Sequence, residues 1–448
     1  MSDKTDLLVL GATGFTGTLI TRYLQAHPQR SQFSLALGAR SPKKLDALVR
    51  SLNLPASVKL VDVDVTNPDD IERAVRGTRV VINTVGPYWL WGTPVVRACV
   101  RNSVHYVDLT GEAAWTKQII REFDYYATKT GAIIVPASGF DSVPSDISAY
   151  LANKTLKSLP PTNGEYVQAG PSTSAQLFRG GVSGGTIASA MTMIEKVPKH
   201  VLKEARLPYS LSPVVGVVRP PFKALYKLPV PGAKQLLGGF FVMAPTNRSV
   251  VQRTFGLLEW QVAEGKRKEA QVERYGPQFS YDEFQVMPSA FSAIMLSAAV
   301  VLGLSMLIIK PIRNLAKKYL PQSGEGPSEE AMQNGSFHIT NITTSTTTPP
   351  VQVKTIVKGK GDPGYLLTAI MISESALSIL LPLASESQEA VPTPGKSNNI
   401  HALTALAQQG GVLTSMTAFG DVLIKRLEET GRFEFSSSVV GGVEKKNV

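Results

Sequence analysis

Cysteine is almost absent from this chain of 448 residues, which carries only Cys99. A single thiol excludes an internal disulfide and leaves no paired thiolates for a zinc site. The first residues show neither a cationic stretch followed by an apolar core and a cleavage site nor an Arg-rich transit segment. We therefore expect no targeting signal there, and a reducing compartment.

Acidic residues are fewer than basic ones, with 35 Asp and Glu against 46 Lys and Arg and a formal net charge of +11. The excess is concentrated in residues 195–274, where fourteen basic and six acidic residues give +8. This window contains no zinc-finger spacing, KH-type loop or RRM signature. We expect an anionic membrane surface or a phosphorylated ligand as partner, and no nucleic acid.

The first third of the chain alternates short apolar runs with segments of helical spacing. Continuous apolar strands that alternate with helices predict a parallel sheet covered on both faces. Residues 1–150 are therefore predicted to form an α/β domain of the doubly wound Rossmann type. The six runs of strand length are residues 7–10, 33–37, 58–63, 80–85, 105–109 and 132–135.

A glycine-rich turn of the form GxxGxxG follows the first strand directly and precedes the first helix. Glycine permits a tight turn and a close approach of the backbone to a pyrophosphate, while the helix N-terminus offers free N–H groups. This context predicts that the turn binds a dinucleotide. The residues of the turn predicted to contact the cofactor are Gly11, Thr13, Gly14, Phe15, Thr16 and Gly17.

The end of the second strand indicates which nicotinamide cofactor fits. A carboxylate there binds the ribose 2′-hydroxyl of NAD, whereas a cation accommodates the 2′-phosphate of NADP. This sequence offers Arg40 and Lys44 and no carboxylate, which favours NADPH/NADP. Asp64, after the third strand, either reaches the adenine or caps the next helix.

The loops that follow strands four, five and six are expected to frame the nicotinamide, because ligands bind beyond the carboxyl ends of the strands. In the first of these loops, Asn83, Gly86 and Pro87 are predicted cofactor contacts.

Three side chains of these loops are candidates for proton transfer: Glu112, Tyr88 and Asp141. Glu112 is either a proton donor whose pKa is raised by burial or the N-cap of the following helix. Asp141 has a similar alternative, since it precedes a helix that opens near Pro144.

Tyr125 and Lys129 form a Y-x-x-x-K pair of the kind that short-chain dehydrogenases use. The helix is predicted to begin near residue 113, so Tyr125 lies about 18 Å along it at roughly 1.5 Å per residue. We therefore expect no catalytic role for this pair.

After about residue 149 the alternation stops, and residues 151–283 are predicted to form a second, mixed α/β domain. The glycine-dense turn at residues 180–186 is either an anion or substrate cradle or a turn without a ligand. Residues 321–350 are predicted to be a flexible loop, residues 351–400 to continue the second domain, and residues 401–448 to return to the first.

An uncharged run of 26 residues, 284–309, is followed at once by basic residues. The run is long enough to cross a bilayer, but the chain on both sides is expected to belong to one globular unit. We favour insertion into one face of a membrane, with the basic residues of segment 284–320 at anionic headgroups, over a buried core helix. The basic residues are Lys310, Arg313, Lys317 and Lys318.

Taken together, these motifs resemble the saccharopine dehydrogenase-like oxidoreductases, a group that includes the mycobacterial trans-acting enoyl reductases. The resemblance extends from end to end apart from the loop before Pro350. It rests on the glycine turn and on the segments NTVGPY (83–88), YVDLTGE (106–112), GFDSVPSD (139–146), SGGT (183–186) and residues 358–365.

The resemblance implies a Rossmann domain, an inserted mixed α/β domain and NADP-linked oxidoreduction. Animal members are associated with lipid droplets, in keeping with the apolar run, and the family is linked to lipid and glycolipid metabolism. Our leading hypothesis is an NADPH-dependent reductase of a lipid-like enoyl or carbonyl substrate at the cytosolic face of a membrane or lipid droplet. A nucleotide-binding scaffold without turnover and a saccharopine reductase are the alternatives, and a homodimer is left open.

Overall fold

The computed structural model describes residues 4–140, 142–161, 164–181, 183–220, 222–265, 269–319, 325–386, 394 and 398–440. The strands are β1 (Thr5–Leu10), β2 (Leu35–Ala39), β3 (Lys59–Asp62), β4 (Thr78–Asn83), β5 (His105–Asp108), β6 (Ile133–Val135), β7 (Ala169–Arg179), β8 (Tyr226–Leu228), β9 (Leu236–Gly239), β10 (Ser280–Met287), β11 (Ser336–Ser345), β12 (Gln352–Lys360), β13 (Gly411–Val412) and β14 (Phe433–Val440).

The helices of the amino-terminal part are α1 (Phe15–Gln25), α2 (Pro42–Ser51), α3 (Pro68–Arg76), α4 (Tyr88–Arg101), α5 (Ala113–Thr130) and α6 (Val143–Lys157). Those that follow are α7 (Gly184–Glu195), α8 (Lys199–Ala205), α9 (Ala244–Ala263), α10 (Ala270–Glu273), α11 (Ala290–Ile308), α12 (Lys310–Tyr319), α13 (Glu329–Gln333), α14 (Leu366–Leu380), α15 (Ala405–Gln409), α16 (Ser415–Ala418) and α17 (Asp421–Glu429).

The first sheet is parallel, with the strand order β13-β6-β5-β4-β1-β2-β3. Every residue of β1 is buried, as expected for a strand with helices on both faces of its sheet. The predicted doubly wound Rossmann fold is therefore confirmed. Strand β13, contributed by residues 411–412 near the end of the described chain, adds a seventh strand beside β6.

The second sheet is mixed and has the order β14-β12-β11-β7-β10-β9-β8. Strands β7 and β10 run parallel, and the other neighbouring pairs are antiparallel. Helix α6 leaves the first sheet and packs against β7, β11, β12 and β14, so it joins the two layers.

Strand β11 overturns the prediction of a flexible loop at residues 321–350. It pairs with β7 from Ser336 to Ser345, and its apolar residues Phe337, Ile339 and Ile342 are buried. Its buried Asn341 donates from Nδ2 to the hydroxyls of Ser172 (2.8 Å) and Ser174 (3.0 Å) on β7. The Ser- and Thr-rich composition suggested a loop, but β-branched residues also favour a strand once their polar groups are paired.

Residues 351–400 were predicted to belong to the second domain, but helix α14 of this range packs on the first domain. It packs against α1, β4 and β5 of the first domain and against α17, and every residue of it except the half-buried Leu366 is buried. A helix that is apolar around its whole circumference requires cover on every side. Among the described residues of this range, only those of β12 belong to the second sheet.

Helix α11 has the opposite environment. Among the described residues it is the one helix long and apolar enough to cross a membrane, and only Ala293 and Ser297 of it are buried. Its first half packs on β9, where the Phe240 N–H donates to Ser297 Oγ at 2.8 Å. Most of the helix nevertheless exposes large apolar side chains, from Phe291 near its start (76% exposed) to Ile308 at its end (70%). The alternative of a buried core helix is therefore wrong.

Candidate active site

The glycine turn between β1 and α1 has the geometry of a phosphate-binding turn. Gly11 has a backbone φ of +86°, a conformation that residues other than glycine rarely adopt. A Cβ at Gly17 would lie 2.2 Å from the Gly11 carbonyl oxygen, so only glycine allows the helix to start this close to the turn. Gly14 is the N-cap of α1, and no side chain caps the helix. The first N–H groups of α1 therefore remain suited to an anion.

The side chains around this turn border a cavity. The half-buried Phe15 ring packs edge-on against Tyr365, with ring centroids 5.3 Å apart. A cavity of about 300 Å³ lies beside α1, and residues of the segment before β11 close its other side. The lining residues are Thr13, Gly14, Phe15, Thr18, Leu19, Arg22, Pro327, Glu329 and Met332. Thr16, the remaining predicted contact of the turn, is half-buried in the first turn of α1.

The predicted cation site lies at the carboxyl end of β2. Arg40 and Lys44 are exposed, and the Gly38 carbonyl accepts from the Gly11 N–H at 2.8 Å, which holds this strand end against the glycine turn. Asp64 accepts from the Thr66 N–H (2.9 Å) and hydroxyl (2.8 Å), and these bonds lower its pKa. The N-cap of α3 is Asn67, so the structure does not support Asp64 as the helix cap.

The loop after β4 contains three predicted cofactor contacts. Two of them lie at the sheet edge, and the side chain of the third is buried away from it. Gly86 is exposed and Pro87, joined to it by a cis peptide bond, is half-buried at the same sheet edge. The Asn83 side chain is completely buried. Its Nδ2 donates to the Tyr106 hydroxyl (3.1 Å) and its Oδ1 accepts from the Val85 N–H (3.0 Å). Asn83 thus shapes the loop, and its side chain does not reach a cofactor from this position.

Glu112 is placed at the N-cap of α5, but its carboxylate caps a different helix. It accepts from the N–H groups of Tyr88 (2.9 Å) and Trp89 (2.8 Å), the first residues of α4. Burial raises the pKa of Glu112, while these two N–H groups and the side chain of Ser189 oppose the rise. The two expected roles, cap and proton donor, therefore both have a structural basis.

Tyr88 is buried in the first domain, at 3% exposure, with its ring centroid 5.3 Å from that of Trp115. Its hydroxyl donates to the Asn83 carbonyl at 3.0 Å, and burial raises its pKa well above the usual value. This placement favours a role in packing over the predicted role in proton transfer, because the hydroxyl already has an internal acceptor. Asp141, the third candidate for proton transfer, lies outside the described residues.

Asp108 is a further buried group at this edge, and it was not predicted from the sequence. Its Oδ1 accepts from the N–H groups of Thr110 and Ala137, both at 2.9 Å, and its Oδ2 accepts from the Tyr106 hydroxyl at 2.8 Å. It thereby joins the loops after β5 and β6. Burial raises the pKa of Asp108 to about 7. Its position as the last residue of a buried strand was the available signal.

The glycine-dense turn at residues 180–186 forms the start of α7. The Ser183 side chain caps this helix by accepting from Thr186 N–H, and the Gly184 N–H donates to the Glu325 carbonyl at 3.1 Å. Thr186 and Tyr365 share a hydroxyl–hydroxyl hydrogen bond of 3.0 Å. The protein's own groups thus satisfy part of this helix end, which leaves the choice between cradle and turn open.

Tyr125 and Lys129, for which no catalytic role was expected, lie on the second half of α5 as predicted. Tyr125 is 66% exposed on the second half of α5, and the Lys129 ammonium lies 5.1 Å from its ring centroid. The pair is remote from the carboxyl edge of the sheet.

The sequence of this chain is similar to a family model and to proteins that have been named. Residues 7–135 match the family model described as saccharopine dehydrogenase NADP binding domain. A trans-acting enoyl reductase of Mycobacterium tuberculosis strain H37Rv is 31% identical over 454 residues, covering 95% of this chain and 96% of the relative. A trans-acting enoyl reductase of Mycobacterium ulcerans is 29% identical over 446 residues, with the same shares covered.

The fold and the glycine turn, together with these matches, define an NADP-dependent oxidoreductase of the Rossmann type. Within that class, the chain belongs to the saccharopine dehydrogenase-like family that contains the trans-acting enoyl reductases, as the sequence motifs predicted. An apo saccharopine dehydrogenase (L-Glu forming) of Saccharomyces cerevisiae has the same fold, with a TM-score of 0.50 and 11% identity over 98% of this chain and 100% of that one.

NADP(H) fits the residues present. The uncapped N-terminus of α1 is suited to the pyrophosphate, and the exposed Arg40 at the end of β2 is suited to the 2′-phosphate.

Proposed function

We propose that this protein is an NADPH-dependent reductase of an enoyl or carbonyl group in a lipid-like substrate, acting at the cytosolic face of a membrane or lipid droplet. The observation that carries the proposal is the exposed apolar surface of α11 on a protein with an NADP-binding domain. The names of the mycobacterial relatives support an enoyl group as the acceptor.

The lipid-surface part of the proposal rests on α11 and α12 together. Beyond the apolar surface of α11, α12 exposes Lys310 and Lys318, which are suited to anionic headgroups. Its Arg313 and Lys317 pair with Glu195 on α7, at 2.8 Å and 2.7 Å. The proposed lipid-binding segment is thus attached to the helix that lies over the carboxyl edge of the first sheet.

In the mechanism, bound NADPH supplies the hydride. The N-terminus of α1 and Arg40 would hold the phosphates, and Gly86 with Pro87 would leave room for the nicotinamide. Burial of the acceptor between the loops after β4 and β5 and helix α7 would exclude water from the transfer.

Turnover assays separate this proposal from its alternatives. Purified protein is incubated with NADPH and trans-2-enoyl thioesters or ketones of increasing chain length, with and without lipid vesicles. We expect NADPH oxidation that increases with chain length and with vesicles. Binding of NADPH without oxidation of any substrate would indicate a scaffold. NADPH oxidation that requires both an aldehyde and a dicarboxylic amino acid, whose imine accepts the hydride, would indicate a saccharopine reductase.

Arg40→Asp tests the assignment of the 2′-phosphate. Loss of a charge-assisted hydrogen bond, worth about 1.5–3 kcal/mol, should weaken NADPH binding by about tenfold or more, with NADH affected less. Lys59→Asp makes the same charge change at the opposite end of a neighbouring strand and should leave the preference unchanged. An Arg40→Asp variant that still prefers NADPH would show that other residues bind the phosphate.

A further inference from the structure

Ser189 is a polar residue of the second domain that reaches the candidate active site of the first. It lies on α7 and is half-buried. A Cβ built on Gly86 would lie 3.4 Å from Ser189 Oγ, so the hydroxyl directly faces the exposed glycine of the loop after β4. That loop is one of those expected to border the nicotinamide.

The Ser189 side chain also interacts with the Glu112 carboxyl group. Two further partners of that carboxyl are fixed backbone N–H groups, those of Tyr88 and Trp89, so its position is set by the start of α4. Glu112 is 2% exposed, whereas Ser189 is only half-buried. Of these two groups, the hydroxyl is therefore the one accessible to a substrate.

We propose that Ser189 is a catalytic residue that donates the proton in the reduction and that Glu112 positions its hydroxyl. This inference rests on the proposed function. Ser189 and Glu112 do not form a sequence motif, because 77 positions separate them. They meet because α7 lies against the first domain.

The proton transfer balances as follows. Hydride addition forms a C–H bond at one end of the acceptor double bond, and the π electron pair moves to the α-carbon of an enoyl group or to the oxygen of a carbonyl group. The Ser189 O–H bond breaks, and the proton bonds to that atom. Ser189 recovers a proton from the Glu112 carboxyl, which is reprotonated by water. Burial favours the protonated form of Glu112 by raising its pKa, although the hydrogen bonds from Trp89, Tyr88 and Ser189 oppose this rise.

A labelling experiment tests the position of Ser189 without requiring turnover. Ser189→Cys introduces a thiol for a maleimide reagent, and the native Cys99 is fully buried with a raised thiol pKa. NADP at ten times its Kd should slow labelling about tenfold, because about one site in eleven remains free. Ala190→Cys, at the exposed next position of α7, is the matched control and should be labelled at an unchanged rate.

Kinetics then test the role. With the enoyl thioester that the wild type reduces fastest, Ser189→Ala should lower kcat by about 10²- to 10⁴-fold, the usual contribution of general acid catalysis. Ser189→Thr should restore most of the rate, and NADPH affinity should change in neither variant. Because Glu112 acts through Ser189, Glu112→Gln should lower kcat in the wild type and have little further effect in Ser189→Ala.

Each outcome is decisive for one of the two proposals. Equal labelling of the introduced thiol with and without NADP would overturn the position of Ser189. Protection together with an unchanged kcat of Ser189→Ala would overturn its role as proton donor. Protection of the thiol in a protein that reduces no substrate would support the position of Ser189 while contradicting the proposed function.

Discussion

Helices α11 and α14 are both long and apolar, yet α11 is exposed along most of its length and α14 is buried along nearly all of it. The buried helix is the one that contains a charged residue, Glu374. Its serines Ser373, Ser375 and Ser378 each donate to the carbonyl four residues earlier, so their polar groups are satisfied inside the helix. The exposed helix has no charge and little cover. Apolar composition therefore does not distinguish a buried core helix from an exposed one.

The partners of Glu374 explain why α14 is buried. Its carboxylate accepts from Arg426 Nε at 2.7 Å and from the Tyr23 hydroxyl, and it pairs with His27 Nε2 at 2.9 Å. Tyr23 and His27 belong to the first domain, and Arg426 to α17. Burial would raise the pKa of Glu374, but Arg426 and the hydrogen bonds outweigh it and lower the pKa to about 2. Helix α11 has no comparable network among the described residues.

The largest expected effect is that of Glu374→Ala. Removing one partner of a buried ion pair leaves Arg426, which is 2% exposed, as an uncompensated charge. Such changes cost about 3–5 kcal/mol. Urea unfolding should show this loss, whereas Glu330→Ala, at an exposed position of α13, should stay within about 0.5 kcal/mol of the wild type. Equal stability of the two variants would remove the contrast between the helices.

A charge introduced into α11 should have little effect on stability and a large effect on vesicle binding. Leu302 is 57% exposed, so Leu302→Lys should change the free energy of unfolding by less than about 0.5 kcal/mol. In a lipid phase a central lysine costs about 2.5–3.5 kcal/mol, so vesicle binding should fall by about 10²-fold. Leu207→Lys, at a leucine that is 54% exposed outside α11, is the matched control in flotation assays. Unchanged vesicle binding by Leu302→Lys would contradict the lipid-binding role.

The pH dependence of stability should identify the buried network. The folded pKa of Glu374, about 2, lies below that of an unfolded glutamate, 4.5, so its contribution is present above pH 4.5 and is lost as the pH falls toward 2. By linkage, wild type should lose about 2 kcal/mol from this group between pH 7 and pH 3. Glu374→Ala should lack this part of the dependence. Parallel stability profiles of the two proteins over this range would disprove the assignment.

The smallest effect is expected from the cations beside α11. Lys310→Ala and Lys318→Ala should each weaken binding to anionic vesicles by about 1 kcal/mol, or roughly fivefold, and less at high salt. Neutral vesicles should show little change. Lys203→Ala, at an exposed position of α8, should leave both affinities unaltered. An equal loss on neutral and anionic vesicles would show that the effect is not electrostatic.

Much of the first domain was predictable because most of its strands are largely apolar and the glycine turn has a fixed place between strand and helix. Strand β13 was not, because two residues are too few for a periodic signal, and its pairing with β6 depends on a distant return of the chain. The packing of α14 on the first domain was not predictable either, because its amino-acid pattern fits any buried helix.

The candidate site was predictable only in its backbone. The turn at Gly11 and the exposed Gly86 follow from strand order and glycine placement. The side-chain roles depend on contacts across the sequence: Asn83 turns inward to Tyr106, and Glu112 caps α4 instead of the helix that it precedes. Ser189 comes from the other domain, and no local pattern predicts that approach.

The central claim is that the amino-terminal turn binds NADPH in preference to NADH, and calorimetric titration of the purified wild-type protein with each nucleotide tests it most directly. We expect saturable heat with both nucleotides, and an affinity for NADPH about tenfold or more above that for NADH. Equal affinities would contradict the role of Arg40, and no binding of either nucleotide by folded protein would contradict the function proposed for this enzyme.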